Sequence, residues 1–205
     1  MGGAISKENA IKVLQEAGET HGRADLSNVQ MESDVAVSLS QQLAKSMVVE
    51  LNLSMNNVGD RGAAALAHAL EKNRQLQRLE LANNGVGAKG ACALVEALAT
   101  NKSLRVLDLY GNQVGLEGCR AFADAFSSQT CCIQKLMLGA NGIGDEEVSL
   151  LANGLCKNKK LRELNLTGNT ITSEGASSLA EMLKTNRSLT HLSMSSHALD
   201  DASLG

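Results

Sequence analysis

The sequence lacks proline and tryptophan, and it has one tyrosine and two phenylalanines in 205 residues. A hydrophobic core with so few aromatic side chains must consist of Leu, Val, Ile and Ala packed in regular layers. The absence of proline excludes polyproline ligand segments and proline-rich linkers. No apolar run approaches the about 20 residues that a membrane-spanning helix needs. Near the N-terminus we find no apolar segment typical of a secretory signal.

Charge and cysteine content exclude further classes. The net charge is −3, from 19 basic and 22 acidic residues, which lacks the basic excess typical of nucleic-acid binding. The five cysteines form neither CxxC pairs nor a His/Cys cluster with metal-ligand spacing. We therefore expect free thiols in a reducing, cytoplasmic environment, with no metal and no cofactor. Adjacent Cys131 and Cys132 are interpreted as small apolar loop residues, with a redox role as the alternative.

A repeat of 28 or 29 residues dominates the sequence, with units that begin at Val48, Leu76, Leu104, Ile133, Leu161 and Leu189. In the clearest unit, Leu79 and Leu81 alternate as in a short strand with both side chains in the core. Ala91, Leu94 and Leu98 follow with helical spacing. One strand and one helix of this size cannot bury their own apolar faces, whereas stacked units can. The repeat therefore predicts a curved solenoid.

This pattern resembles the leucine-rich repeats of the ribonuclease-inhibitor and RanGAP type, from residue 48 to about residue 199. The resemblance implies an α/β horseshoe segment with parallel strands on the concave face and helices on the convex face. It also implies a ladder of inward-facing asparagines that bind loop backbone groups of adjacent repeats: Asn56, Asn84, Asn112, Asn141 and Asn169. At the end of the repeat helix, Asn101 is predicted to form a left-handed cap.

The chain divides into three predicted parts. Residues 1–24 form an N-terminal segment with a helix that Ser6 caps and Gly18 closes. Residues 25–47 form a truncated capping repeat, in which Leu26, Val29 and Met31 fit the strand half and Asp34 replaces the ladder asparagine. The alternative for that stretch is an amphipathic helix over 34–45. Residues 48–205 hold five full repeats and a partial last one, whose open end is a candidate contact surface.

The first residues match a lipidation signal. Gly2 after the initiator Met, with Ser6 four positions later and Lys7 beyond it, is typical of N-myristoylation. A single myristoyl chain binds membranes only marginally, and few basic residues lie nearby. The motif thus predicts weak membrane contact through Gly2. The alternative is an ordinary start followed by flexible glycines.

The outward strand positions predict a partner-binding face. They form columns across the repeats, and large apolar side chains stand together only around Val106, Tyr110 and Met137. Tyrosine is enriched at binding hot spots, and Arg78 and Asp108 could orient a charged partner. We therefore predict that Arg78, Val106, Asp108, Tyr110 and Met137 bind a protein on the concave face. The alternative is an ordinary solvated surface.

The sequence contains no phosphate-binding glycine loop and no nucleophile–base signature. We therefore predict a non-enzymatic protein-interaction module or small scaffold subunit, for example in a ciliary or cytoskeletal assembly. The resemblance also implies an alternative, a GTPase-activating protein like RanGAP. The acidic tail of that family is absent here, and no arginine can be assigned as a catalytic finger.

Overall fold

A computed structural model describes residues 4–195 of the chain. Helices and strands alternate in strict order throughout this range. The helices are α1 (Lys7–Glu19), α2 (Ser33–Leu43), α3 (Gly59–Leu70), α4 (Ala88–Thr100), α5 (Gly115–Ser127), α6 (Asp145–Leu155) and α7 (Ser173–Thr185). The strands are β1 (Arg23–Asp25), β2 (Glu50–Asn52), β3 (Arg78–Glu80), β4 (Val106–Asp108), β5 (Lys135–Met137), β6 (Glu163–Asn165) and β7 (His191–Ser193).

All seven strands form one parallel sheet in sequence order. The register follows the repeat, because Leu51 pairs with Leu79 and Leu79 pairs with Leu107. The central residue of each strand from β1 to β6 is buried, while the residues on either side of it face outward. The predicted solenoid of stacked strand–helix units is therefore confirmed. Among residues 4–195, no helix has the length and apolar character to cross a membrane.

The core is a continuous aliphatic layer between the sheet and the helices. It contains both phenylalanines of the chain, Phe122 and Phe126 on α5, which are fully buried with ring centroids 6.0 Å apart. In the other repeats leucines occupy these helix positions, such as Leu94 and Leu98 on α4. One repeat thus packs a larger core than its neighbours.

The predicted asparagine ladder is confirmed. Asn84 donates from Nδ2 to the carbonyl of Leu53, 2.9 Å away, and its Oδ1 accepts from the backbone N–H of Val58. Asn112 in turn accepts from the backbone N–H groups of Asn84 and Val86. Each side chain therefore satisfies backbone groups of the preceding repeat, which would otherwise be buried without partners.

A second asparagine ladder runs along the ends of the helices, through Asn73, Asn101, Asn158 and Asn186. The prediction of a left-handed cap at Asn101 was wrong, because this residue is extended with φ −72° and ψ 127°. Its side chain does the capping instead. Nδ2 donates to the carbonyl of Leu70 in the preceding repeat, and Oδ1 accepts from the N–H of Leu104.

The N-terminal repeat differs from the prediction in its alignment. Its strand lies at Arg23–Asp25, where Ala24 pairs with Leu51, and not at Val29 and Met31. Val29 and Met31 instead form the following loop, where both N–H groups donate to Asn56. The small side chain of Ala24 at a leucine position concealed the true register. The helix after it, α2, is present, and α1 begins after Ser6 as predicted but ends at Glu19.

At the other end of the solenoid, the last predicted unit supplies β7, which pairs with β6. Leu192 in β7 is half-buried, unlike the buried central leucines before it. The residues after Ser195, including His197 at the ladder position, lie outside the described residues. Contact of a partner with this end stays a prediction.

Candidate functional site

The ring of Tyr110 lies directly on Gly139. Tyr110 follows β4 and Gly139 follows β5, and the two loops are joined by a hydrogen bond from Gly111 N–H to the Gly139 carbonyl, 2.9 Å long. A Cβ atom placed on Gly139 would lie 2.6 Å from Cδ2 and Cε2 of Tyr110. Gly139 is buried beneath the ring, yet 39% of Tyr110 remains exposed. The absence of a side chain at Gly139 thus lets one face of the exposed Tyr110 ring pack on the backbone. We call this contact the seat of Tyr110.

The other predicted residues lie on β3, β4 and β5, on or next to the strand that Tyr110 follows. Register pairs place Val106 beside Arg78 on β3, and Asp108 beside Met137 on β5. Val106, Asp108 and Met137 are all half-buried. The structure therefore brings the five predicted residues onto one continuous surface across β3, β4 and β5. We call Arg78, Val106, Asp108, Tyr110 and Met137 the tyrosine patch.

Two ion pairs flank the tyrosine patch. On one side Arg78 binds Glu80 with 3.2 Å between Nη1 and Oε1, and on the other Lys135 binds Glu163 with 2.8 Å between Nζ and Oε1. The 28- and 29-residue spacing places Lys135, Glu163 and Glu80 in the same outward columns, but sequence reasoning did not predict their ion pairs. The tyrosine patch therefore mixes apolar and charged side chains, because Val106 pairs in register with Arg78 and Lys135, and Asp108 pairs with Met137.

Asp108 is a half-buried carboxylate with two cations nearby. Burial raises the pKa of its carboxyl group, against the opposing effects of a hydrogen bond and two cations. The hydrogen bond comes from the Tyr110 N–H, 2.8 Å from Oδ1, and the cations are Lys135 and Arg78. The carboxylate is thus partly desolvated and incompletely compensated. A base from a partner would gain more here than at a fully solvated carboxylate.

Burial disfavours ionisation of three cysteine thiols, those of Cys92, Cys119 and Cys131. Burial raises the pKa of Cys119 to about 12 and that of Cys131 to about 11, so both stay protonated thiols at neutral pH. Burial also raises the pKa of Cys92. In the part of the chain that the structure describes, no group of three His, Cys, Asp or Glu side chains could hold a metal ion. The packing interpretation of Cys131 agrees with its burial.

Comparison with known proteins fits this architecture. The family model described as Leucine Rich repeat matches residues 44–67, 72–95, 100–123, 157–180 and 185–204. Since these segments cover more than half of the chain, the protein belongs to the leucine-rich repeat family. The model describes such repeats in general, so the ribonuclease-inhibitor and RanGAP subtype stays a prediction. No curated protein matches the sequence.

Among solved structures, the chain is similar to one titled "Leiomodin-1 Actin-Binding Site 2 (ABS2)". The two are 19% identical with a TM-score of 0.56, and the match covers 89% of this chain and 91% of that one. At this identity the likeness shows the fold alone. The leucine-rich repeat family is generally a non-enzymatic fold that binds other proteins. The chain is therefore a protein-interaction module.

The seat under Tyr110 can be tested optically, because Tyr110 is the only tyrosine and tryptophan is absent. Gly139→Ala places a methyl group where the ring lies and should lift the ring into solvent. We expect about twofold stronger quenching of tyrosine fluorescence by acrylamide, since the ring would lose cover from one face. Ser54→Ala, in the same column two repeats before Tyr110, should leave the quenching unchanged. Equal quenching in Gly139→Ala and wild type would show that the ring does not rest on Gly139.

Proposed function

We propose that this chain is a non-enzymatic scaffold module that binds a partner protein on its concave face, with Tyr110 as the central anchor. The observation that carries the proposal is the exposed Tyr110 ring on Gly139, after the strands that carry Val106 and Met137. A ring held in place loses little conformational entropy on binding, which favours affinity.

The charged residues of the tyrosine patch supply orientation. Arg78 and Asp108 carry opposite charges on adjacent strands, and Asp108 is the partly desolvated one. Complementary charges set the register of a partner and its rate of association. The partner surface that fits best has an apolar pocket for Tyr110 and a basic residue beside it for Asp108.

Tyr110→Ala should abolish most partner binding without unfolding the protein. Loss of a tyrosine hot spot costs about 2 kcal/mol or more, which is about a 30-fold loss of affinity. The measurement is quantitative affinity capture from native cells. The tag is placed at the C-terminus, so that Gly2 remains available for myristoylation. Thr167→Ala, a half-buried position in the same column, is the matched control. A partner set equally retained by both variants would refute binding at the tyrosine patch.

We propose in addition that Gly2 is myristoylated and supports weak membrane contact from a cytoplasmic location. Gly2 lies outside the described residues, and the support for this proposal is the sequence motif. Ser6 of the motif caps α1, where its hydroxyl accepts from the N–H of Asn9. Intact-mass spectrometry of wild type and Gly2→Ala from native cells tests this directly. An unmodified wild-type mass would contradict it.

For the partner, we propose a cytoskeletal or ciliary protein. A structural neighbour is titled as an actin-binding site, so co-sedimentation with filamentous actin is the first purified test. If the wild-type chain pellets with filamentous actin and Tyr110→Ala does not, actin is supported as the partner. If the wild-type chain does not pellet, actin is excluded as the partner. The GTPase-activating alternative stays a prediction, and GTP turnover by small GTPases in the presence of the chain tests it.

A further inference from the structure

A second surface, formed by residues that precede β6 and β7 and not by those of the tyrosine patch, carries concentrated positive charge. It is a groove of about 570 Å³ between the loop that joins α6 to β6 and the loop that joins α7 to β7. Four basic side chains line it, and its lining contains no carboxylate: Lys157, Lys159, Arg162 and Arg187. We call these four residues the basic groove. Because the whole chain is acidic by three charges, the groove is a local feature and does not reflect composition.

Hydrogen bonds hold the floor of the basic groove. Asn158 and Asn186, both buried, belong to the second asparagine ladder. Asn186 donates from Nδ2 to the Leu155 carbonyl, 2.7 Å away, and Ser188 donates from its hydroxyl to the Asn158 carbonyl, 2.8 Å away. Lys157 and Lys159 flank Asn158 in sequence, and Arg187 follows Asn186. The ladder therefore fixes the backbone on which the cations are mounted.

Basic residues beside the earlier ladder asparagines are used internally. Arg74, next to Asn73, donates from Nη1 to the Glu71 carbonyl, 2.8 Å away. Lys102, next to Asn101, donates from Nζ to the carbonyls of Ala99 and Thr130. These side chains support the fold by binding carbonyls at helix ends.

The cations of the basic groove differ from that pattern. Among residues 4–195, the side chains of Lys157, Lys159 and Arg187 form no hydrogen bond and no ion pair. Only Arg162 is engaged, through a 3.0 Å hydrogen bond from Nη1 to the Ser188 carbonyl. All four are exposed. Like charges gathered around one cavity repel one another unless a counter-charge occupies it.

The position of the groove favours a protein ligand over a membrane. It lies at the edge of the solenoid where helices end and strands begin. Ile5, three residues after the candidate lipid site Gly2, bonds to the Val29 carbonyl at the opposite edge, where β1 has ended. The groove also lies five strands further along the sheet, roughly 24 Å away at the usual strand spacing. It is therefore not placed to act as the second membrane signal that a myristoyl chain needs.

From these observations we propose that the basic groove binds an acidic peptide segment, rich in Asp or Glu, of a partner protein. An extended chain fits an open groove of this volume, and carboxylates supply the missing counter-charge. This site is separate from the tyrosine patch, so the chain would bridge two partner surfaces, as a scaffold does.

The test is fluorescence anisotropy with a fluorescein-labelled Asp/Glu-rich octapeptide as probe and its Asn/Gln analogue as neutral control. The groove variant Lys157→Gln, Lys159→Gln, Arg187→Gln should bind the acidic probe about tenfold more weakly than wild type, because it removes three screened ion pairs. Added salt should weaken wild-type binding. The charge-preserving variant Lys157→Arg, Lys159→Arg should retain it. Circular dichroism verifies that each variant is folded.

A second variant with the same loss of charge separates the groove from general attraction. Lys72→Gln, Arg74→Gln, Lys102→Gln removes three cations from the same edge and should weaken binding less than twofold. An equal loss in this variant would overturn the proposal, as would wild-type protein that binds neither probe. Co-sedimentation with vesicles of equal parts phosphatidylcholine and phosphatidylserine tests whether the basic groove binds a membrane instead. Vesicle binding lost in the groove variant, without peptide binding, would also overturn it. The tyrosine patch is intact in every variant, so the two proposals fail separately.

Discussion

Asn112→Ala should lower the free energy of unfolding by about 3 kcal/mol or more. Its Oδ1 accepts from the N–H groups of Asn84 and Val86, and its Nδ2 donates to the carbonyls of Leu81, Leu109 and Tyr110. The residue is 5% exposed. Alanine leaves these backbone groups without their partner in a place that water reaches poorly, and each such loss is costly. Urea denaturation followed by circular dichroism measures the change.

Asn153→Ala is the matched control for the ladder. Asn153 is an exposed residue on α6, where alanine is also the better helix former. We expect its unfolding free energy to stay within about 0.5 kcal/mol of wild type. If Asn112→Ala is as mild as Asn153→Ala, the ladder does not hold the repeats together.

Gly154→Ala should destabilise the protein by about 2 kcal/mol, against the usual rule for helices. In a helix interior, alanine is normally more stable than glycine by about 1 kcal/mol. Here a Cβ atom would overlap the carbonyl oxygen of Ala123 on α5 and would lie 2.6 Å from the Cα atom of the same residue. Both are backbone atoms, so α5 and α6 would have to separate. Thermal and urea unfolding measure the effect.

Gly18→Ala, the same type of substitution in another helix, should stabilise the protein. Gly18 lies in α1, and a Cβ atom there would meet its nearest neighbours at 3.6 Å, an ordinary packing distance. This variant should gain about 0.5 to 1 kcal/mol. Two glycine-to-alanine changes in helices should therefore have opposite signs. Stabilisation by Gly154→Ala would show that α5 and α6 are not in backbone contact at this point.

Regular repeats made most of the fold predictable. Leu79 and Leu81 have the spacing of a strand, and Leu94 and Leu98 have the spacing of a helix. Stacking of such strand–helix units buries both apolar faces, which is the arrangement that the structure shows. The prediction was wrong where the pattern weakens. Ala24 stands at a leucine position, so the first strand was aligned with the loop after it.

The repeat around α5 and α6 shows a different limit. It has one extra residue, two core phenylalanines and Gly154, and the family model does not match residues 124–156. Gly154 lies against the backbone of Ala123, the residue after Phe122, so the close approach of α6 to α5 occurs in the repeat that holds the large side chains. No local rule of sequence connects them.

Parts of the candidate site were also predictable. Column positions follow from the repeat length, which is why Tyr110, Val106 and Met137 could be grouped before the structure was known. The seat at Gly139 and the basic groove could not be anticipated in this way. Both depend on which side chains the fold brings together. The basic groove is lined by residues from separate loops, which are distant in the sequence.

Site-specific photocrosslinking tests the central claim most directly, namely that a partner contacts the tyrosine patch. Tyr110→p-benzoylphenylalanine is irradiated in native cells beside Glu96→p-benzoylphenylalanine, an exposed position on α4. Our account predicts a covalent adduct with the co-purifying partner from position 110 and none from position 96. Adducts from position 96 alone, with the partner still co-purifying in both variants, would contradict it.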